Sequence, residues 1–383
     1  MSDPKVIAFY LPQFHAIPEN DQWWGKGFTE WTNVRKAVSL FKGHIQPVVP
    51  LNENYYDLSD VDVMRWQSSI AKKYGIYGFC FYHYWFGGKK LLEKPIENFL
   101  SDKSIDQKFC LCWANENWTR CWDGTENEIL IAQNYGVKEE WVSHFQYLLS
   151  YFKDPRYIFH DDKPLLVIYK PELMPDFDEM IAFWQQMAIE NGLKGICIVS
   201  QYNYYGKKNP GSVDYDIYYQ PAYLWNSLSK KRFSVNTFRY FLSNIGLALN
   251  LIVSEYIRKR NGKRDKSDSS SRYLCISYDS AWKSILRLKY GKNVFPGCFS
   301  NWDNSPRKGN RAVIFRGGTS DKFYKYFSRF IRICRRENKD KIFIMAWNEW
   351  AEGGYLEPDS RNGFGYLEAI RKSLVDNDVF PFD

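Results

Sequence analysis

The chain has 383 residues, 45% of them apolar and 25% charged, with a formal net charge of +8 at pH 7. That balance fills a large core under a charged surface and excludes a disordered or low-complexity chain. No apolar run reaches the roughly 18 to 20 residues of a membrane span, and the residues before Val6 have no basic start or apolar stretch of a secretory leader, so a cytoplasmic location is expected.

In chain order, the first strand is predicted at Val6–Tyr10. It runs into Leu11-Pro-Gln-Phe-His15, not a Gly-rich phosphate loop, and residues 11–56 form a long connection rich in Trp, Gly, Asn and Pro. A helix follows over Asp60–Tyr74, opened by Ser59-Asp60 and closed by Gly75. Strands are expected at Gly78–Tyr82 and Phe109–Trp113, a helix at Glu139–Phe152, a strand at Leu165–Tyr169, a helix at Asp178–Asn191, and strands at Gly195–Ser200 and Ile217–Gln220. Residues 221–290 make a second long connection holding a basic insertion at 226–275. Strand Val294–Phe299, helix Lys322–Glu337 and strand Ile342–Trp347 complete the series. The strands are continuous apolar runs, as parallel strands covered on both faces require. Eight of them alternating with helices predict an α/β fold, a (β/α)8 TIM barrel with long βα loops and a basic helical insertion, residues 1–383 forming one domain. A doubly wound open sheet is the alternative, but it lacks its phosphate loop.

The strand ends share a chemistry. Tyr10 is followed by Gln13 and His15; the second strand ends Tyr82-His83-Tyr84-Trp85, the third Trp113-Ala-Asn115-Glu116-Asn117-Trp118; the seventh leads to Trp302-Asp303; the eighth ends Trp347-Asn348-Glu349-Trp350-Ala351-Glu352-Gly353. Together with Glu30 and Trp31 in the first long loop, these residues are the candidates for binding a substrate at the C-terminal mouth of a barrel. The 18% aromatic share supplies flat apolar faces with polar edges. Trp and Tyr planes take the C–H faces of sugar rings, and amides and carboxylates take the hydroxyls. The competing reading makes each aromatic a core residue and each Asn-Glu pair a turn or cap.

Glu349 and Glu352 carry the sharpest expectation. Glycosidic chemistry needs two carboxyl groups, and positions i and i+3 after a strand place both on one side of a turn. Their repulsion raises one pKa, as a general acid requires. The alternative is a capping pair on the next helix, and Glu357 and Asp359 lie close enough in sequence to compete. Other chemistries have less support. The five histidines show no HExxH spacing, and no GxSxG elbow or Walker loop occurs. No pair of CxxC motifs suggests zinc, and the eight cysteines, several within strand-like runs, read as reduced thiols. Asp214-Tyr-Asp216 fits the DxD spacing of a metal-dependent nucleotide-sugar transferase, but that motif is short and the barrel is the wrong context for it.

The stretches Ala8–His15, Trp24–Trp31, Phe79–Trp85, Cys112–Trp118, Trp302–Arg307 and Trp347–Gly353 resemble the WbsX-type proteins of bacterial polysaccharide loci, which are related to glycoside hydrolase family 99, the endo-α-mannosidase-like enzymes. The resemblance spans nearly the whole chain apart from the basic insertion. It implies a barrel whose ExxE motif, here Glu349-Trp-Ala-Glu352, acts with retention on a glycosidic bond of a bacterial surface polysaccharide (O-antigen or capsule) or its precursor. In that scheme Glu349 deprotonates the sugar's 2-hydroxyl to give a 1,2-anhydro intermediate, and Glu352 protonates the leaving oxygen and later activates the acceptor. Ala351 stands where the hydrolases often have His, which bears on the substrate. No metal or organic cofactor is implied. The alternatives are a glycosyltransferase of polysaccharide biosynthesis and a barrel that binds glycan without turning it over.

Between Lys230 and Arg272 stand 11 basic and 3 acidic residues, an excess equal to the whole net charge. The rest is neutral, which argues against nucleic acid as a partner. An apolar stretch, Phe241–Ile257, with basic flanks suits either a lid helix on the barrel or peripheral contact with the anionic inner membrane through residues 230–272. The expected partner is an oligosaccharide or a lipid-linked glycan.

Overall fold

In the computed structural model the apolar runs form parallel strands: β1 (Lys5–Tyr10), β2 (Ile76–Phe86), β3 (Lys108–Trp113), β4 (Lys163–Ile168), β5 (Cys197–Tyr202), β6 (Tyr215–Tyr218), β7 (Val294–Phe295 and Gly297–Phe299) and β8 (Lys341–Met345). The structure describes residues 3–119, 128–229, 273–381 and, between the last two stretches, 246, 247, 249, 252, 253 and 256. The ladder runs from β6 through β5, β4, β3, β2 and β1 to β8, each pair parallel. β7 supplies both remaining edges: Val294–Phe295 pairs with β6 and Gly297–Phe299 with β8. Pro296, which has no N–H to give the ladder, separates the two halves, and its carbonyl accepts from Phe343 N–H at 2.9 Å. The two ends of the ladder thus meet at one residue, and the barrel predicted from eight apolar runs is the fold.

Helices cover the strands. Val61–Lys73 begins at Asp60, whose carboxylate accepts from Asp62 N–H at 2.9 Å, and ends before Gly75, which takes φ +83°. Lys138–Phe152, Phe177–Glu190 and Ser320–Arg336 stand within two residues of their predicted bounds. β5 and β6 are joined without a helix; Lys207 from that loop lies over them and pairs with Glu172 at 2.9 Å. β2 extends four residues beyond its predicted end because Tyr84–Phe86 pairs with a hairpin strand, Lys89–Leu91.

Side chains alternate along each strand between the barrel interior and the helix layer. On β2, Tyr82 stacks on Phe9 inside, whereas Phe81 packs on Phe99 and His83 on His144 beneath the helices. The basic insertion expected at 226–275 begins inside helix Ala222–Ser229 and otherwise lies largely outside the described residues, as does the segment 230–272 for which membrane contact is one expectation. Tyr273 packs on Phe41, and Leu274–Ser277 pairs with Val313–Arg316. Among the described residues no helix is long and apolar enough to cross a membrane.

Candidate active site

The ExxE segment is held as a hairpin. Asn348–Glu349 pairs antiparallel with Gly354–Tyr355, and residues 350–352 form a single 3-10 turn at its tip. Gly353 closes the turn at φ +64°; a Cβ there would stand 2.8 Å from the Asp303 nitrogen, so only glycine fits. Asp303 N–H donates to the Glu352 carbonyl at 2.7 Å and ties the tip to the loop after β7. Below it, Trp350 stacks on Tyr355 at 3.9 Å and donates its indole N–H to Glu357 at 2.6 Å. Glu357 also accepts from Tyr56 and Gln67, each at 2.7 Å. Burial pushes its carboxyl up to about 7, against those hydrogen bonds. It therefore supports the turn from beneath and does not enter the cleft.

Glu349 and Glu352 line a cleft of about 300 Å³ at the C-terminal mouth, with Gln13, Tyr82, Tyr84, Glu116 and Trp118. Leu11, Ala114, Asn117, Thr119, Tyr169, Tyr219, Arg307 and Lys308 complete the wall. The aromatic groups interlock: Tyr84 meets the Trp118 edge at 5.1 Å and accepts from Gln13 Nε2 at 3.0 Å, and the Tyr82 and Tyr219 hydroxyls are 3.3 Å apart. Glu116 pairs with Lys170.

One guanidinium organises the acidic groups. Arg307 Nη2 lies 3.0 Å from Glu349 Oε2 and 3.2 Å from Glu30 Oε1, and Nη1 lies 2.8 Å from Glu352 Oε1. Glu30 is fully buried at the start of helix Glu30–Lys36. Both glutamates of the ExxE motif are thus ion-paired and still line the open cleft. Burial is the main cause that pushes the Glu349 carboxyl well up; Arg307 opposes it, and Glu352 and Glu30 add to it. Burial likewise raises Glu30 against Arg307. Burial and the crowding of carboxylates around one cation thus both favour the protonated form of Glu349.

The other predicted site residues stand elsewhere. Asn348 accepts from Leu11 N–H at 2.7 Å and donates to the Leu11 carbonyl at 2.9 Å, stapling β8 to β1. Asn115 does the same for β3 and β4 through Lys170, at 2.7 and 2.8 Å. His83 lies 2.9 Å from His144, among Trp85, Trp113 and Trp184 under the helices. Tyr10 donates to Gln67 at 2.6 Å, His15 contacts the Pro12 carbonyl, and Trp31 donates to the Tyr56 carbonyl at 2.8 Å. Trp347 packs on Phe79 in the core. Trp302 is half-buried outside the cleft lining, and Asp303 faces a neighbouring cleft, bound to His44 at 2.7 Å. Asp214 accepts from Ile198 N–H, and Asp216 bonds Asn209, so the DxD pair is engaged within the fold away from the cleft. Arg307, Tyr169 and Tyr219 are the residues that the sequence reading missed. Arg307 closes the Trp302–Arg307 motif, and its signal was that it is the one cation within those six residues.

Comparison with known proteins agrees with this architecture. The chain is 35% identical over 373 residues to the WxcX proteins of two strains of Xanthomonas campestris pv. campestris, covering 97% of this chain and 49% of theirs. It spans about half the length of those curated relatives. A GH99 endo-alpha-mannosidase from Bacteroides thetaiotaomicron superposes with a TM-score of 0.55 at 13% identity, over 99% of both chains. A glycoside hydrolase-like protein does so with the same score and identity, over 97% of this chain and 94% of its own. At that identity the likeness establishes the fold. The family profile of glycosyltransferase WbsX matches residues 6–370, and the chain belongs to that family of carbohydrate-active proteins.

Proposed function

We propose that this protein acts with retention on a glycosidic bond of a bacterial surface polysaccharide or its lipid-linked precursor, with Glu349 and Glu352 as its catalytic pair. The supporting observation is the placement of both carboxylates, 3.0 and 2.8 Å from one guanidinium, in a cleft walled by Tyr82, Tyr84, Trp118, Tyr169 and Tyr219. Glu349 takes the proton of the sugar's 2-hydroxyl, and that oxygen attacks C1. The C1–leaving-oxygen bond breaks as Glu352 gives the leaving oxygen its proton. Water or a sugar hydroxyl then attacks C1, giving its proton to Glu352, and the 2-oxygen recovers its proton from Glu349. Two inversions at C1 give retention. The scheme starts with the proton on Glu352 and passes one to Glu349 in the anhydro intermediate, and the raised Glu349 carboxyl suits that second state. A sugar hydroxyl in place of water makes the same site a transferase, in keeping with the family's name.

Replacing Glu349 and Glu352 separately by Gln tests the roles. Glycosyl fluorides of the polysaccharide's own sugars need no acid for departure. E352Q is expected to release fluoride in the first turnover and to turn over steadily only when azide, which needs no base, replaces water, and E349Q is expected to stay inactive on both substrates. The reverse pattern would exchange the roles, and full activity of both variants would remove the pair from the chemistry.

A second observation favours peripheral membrane contact. Leu249, Ile252, Val253 and Tyr256 follow i, i+3, i+4, i+7 spacing, are helical and are each more than half exposed. The sequence around them, 230–272, carries 11 basic residues against 3 acidic. An apolar stripe within a basic stretch complements an anionic bilayer. The protein is expected to float with phosphatidylglycerol vesicles at low salt and not with phosphatidylcholine vesicles. Failure with both, or self-association through the stripe, would overturn this contact.

A further inference from the structure

Beside the glutamate cleft lies a second one of about 390 Å³, bounded by residues 41–49, 301–319 and 353–366. The ExxE tip and the loop after β7 stand between the two: Glu352 and Arg307 line the first cleft, Gly353 and Asp303 the second, and Asp303 N–H bonds the Glu352 carbonyl at 2.7 Å.

Its electrostatics are lopsided. Asp303 and Asp359 face it, but donors from the protein already hold both. Asp303 accepts from His44 at 2.7 Å, Gln46 at 2.8 Å and Ser305 N–H at 3.0 Å. Asp359 accepts from the Tyr355 hydroxyl, the Arg361 N–H and the Asn362 amide, each at 2.8 Å. The two cations are not so engaged by carboxylates. Arg316 and Arg361 are exposed, and among the described residues neither has an acidic partner; Arg316 lies over the Phe41 ring at 4.6 Å and hydrogen-bonds Cys275 Sγ. Aromatic rings of Phe41, Tyr355 and Tyr366 complete the lining.

We infer that this second cleft is a subsite for an anionic sugar residue, one bearing a carboxylate or a phosphate, of the glycan handled at the neighbouring glutamates. The guanidinium groups of Arg316 and Arg361 take the anion, as planar forks suit carboxylate and phosphate. The aromatic groups cover the ring's apolar face. The glycan class rests on the function proposed above; the anion site rests on the cleft itself.

The test is calorimetric, on the E349Q/E352Q protein, so that no turnover intervenes. The probes are a hexuronate-containing tetrasaccharide, its carboxyl-reduced counterpart and a hexose 1-phosphate. The acidic tetrasaccharide is expected to bind more tightly than the reduced one, and R316Q/R361Q to weaken the acidic form by roughly tenfold or more while leaving the reduced form unchanged. Binding of the hexose phosphate that disappears in the same variant assigns phosphate as the anion; indifference to it assigns carboxylate. Equal binding of acidic and reduced forms, or native-like binding by the arginine variant, overturns the inference. Either result leaves the glutamate assignment untouched, because the fluoride assay reads that separately. Both arginines are exposed, and an unchanged melting curve confirms that the variant is folded.

Discussion

Removing the Arg307 guanidinium would leave Glu30, fully buried and 3.2 Å away, without its cation. Breaking a buried ion pair from one side costs about 3–5 kcal/mol. R307M is therefore expected to lose stability of that order in urea unfolding at pH 7, with the loss shrinking at acid pH as the carboxylates protonate. Adding E30Q to R307M should recover part of it; no recovery would show that Glu30 does not depend on Arg307. The same residues mark what the sequence could and could not reveal. The acidic pair was legible because ExxE follows a strand. Its cation was not, because Arg307 is 42 residues from Glu349 and meets it only through the barrel. Strand parity, though, was available. Within Phe79–Trp85 only the even-numbered residues face the interior, which admits Tyr82 and Tyr84 to the cleft and sends His83 and Trp85 under the helices. Applying alternation to strand ends would have removed half of those candidates.

At the level of elements, β2 is fastened to helix Lys138–Phe152 by the His83–His144 contact at 2.9 Å. Burial holds His83 down to about 3 and His144 well below its ordinary 6.5, with the neighbouring charges adding to both. Both imidazoles are thus neutral in the folded protein across a range where the unfolded chain protonates them. The unfolded state binds more protons below pH 6.5, so folding stability is fully present above that pH and falls as pH drops toward 3, by up to about 1.4 kcal/mol per pH unit for each imidazole. Unfolding free energies measured between pH 7 and 4 should fall with this slope, and H83F/H144F should flatten the fall. An unchanged slope in that variant would mean that other groups carry the acid sensitivity. The asparagines at strand ends teach a related lesson. Asn115 and Asn348 read as ligand residues by their place in the chain, yet each bonds both ways to the backbone of the adjacent strand's end. A barrel mouth needs such staples where the ladder stops and backbone groups lose their partners, and one residue type serves both purposes. Helices with capped ends and continuous apolar strands were legible because local rules fix them; the split of β7 at Pro296 was not, because it concerns which neighbour each half pairs with.

Over the whole molecule, eight strands bring residues from 11 to 352 into one cleft, and the acidic pair, its guanidinium and the tyrosine walls come from different loops of that ring. In the proposed account the neutral barrel carries the chemistry and residues 230–272 carry the attraction to an anionic surface. The stereochemistry of the reaction decides the central claim most directly. Proton NMR of the first product formed from the organism's own surface polysaccharide or lipid-linked precursor should show the anomeric configuration of the starting linkage, and E349Q should still bind the glycan but form no such product. An inverted anomer from the native protein, or an undiminished rate in E349Q, would contradict the account.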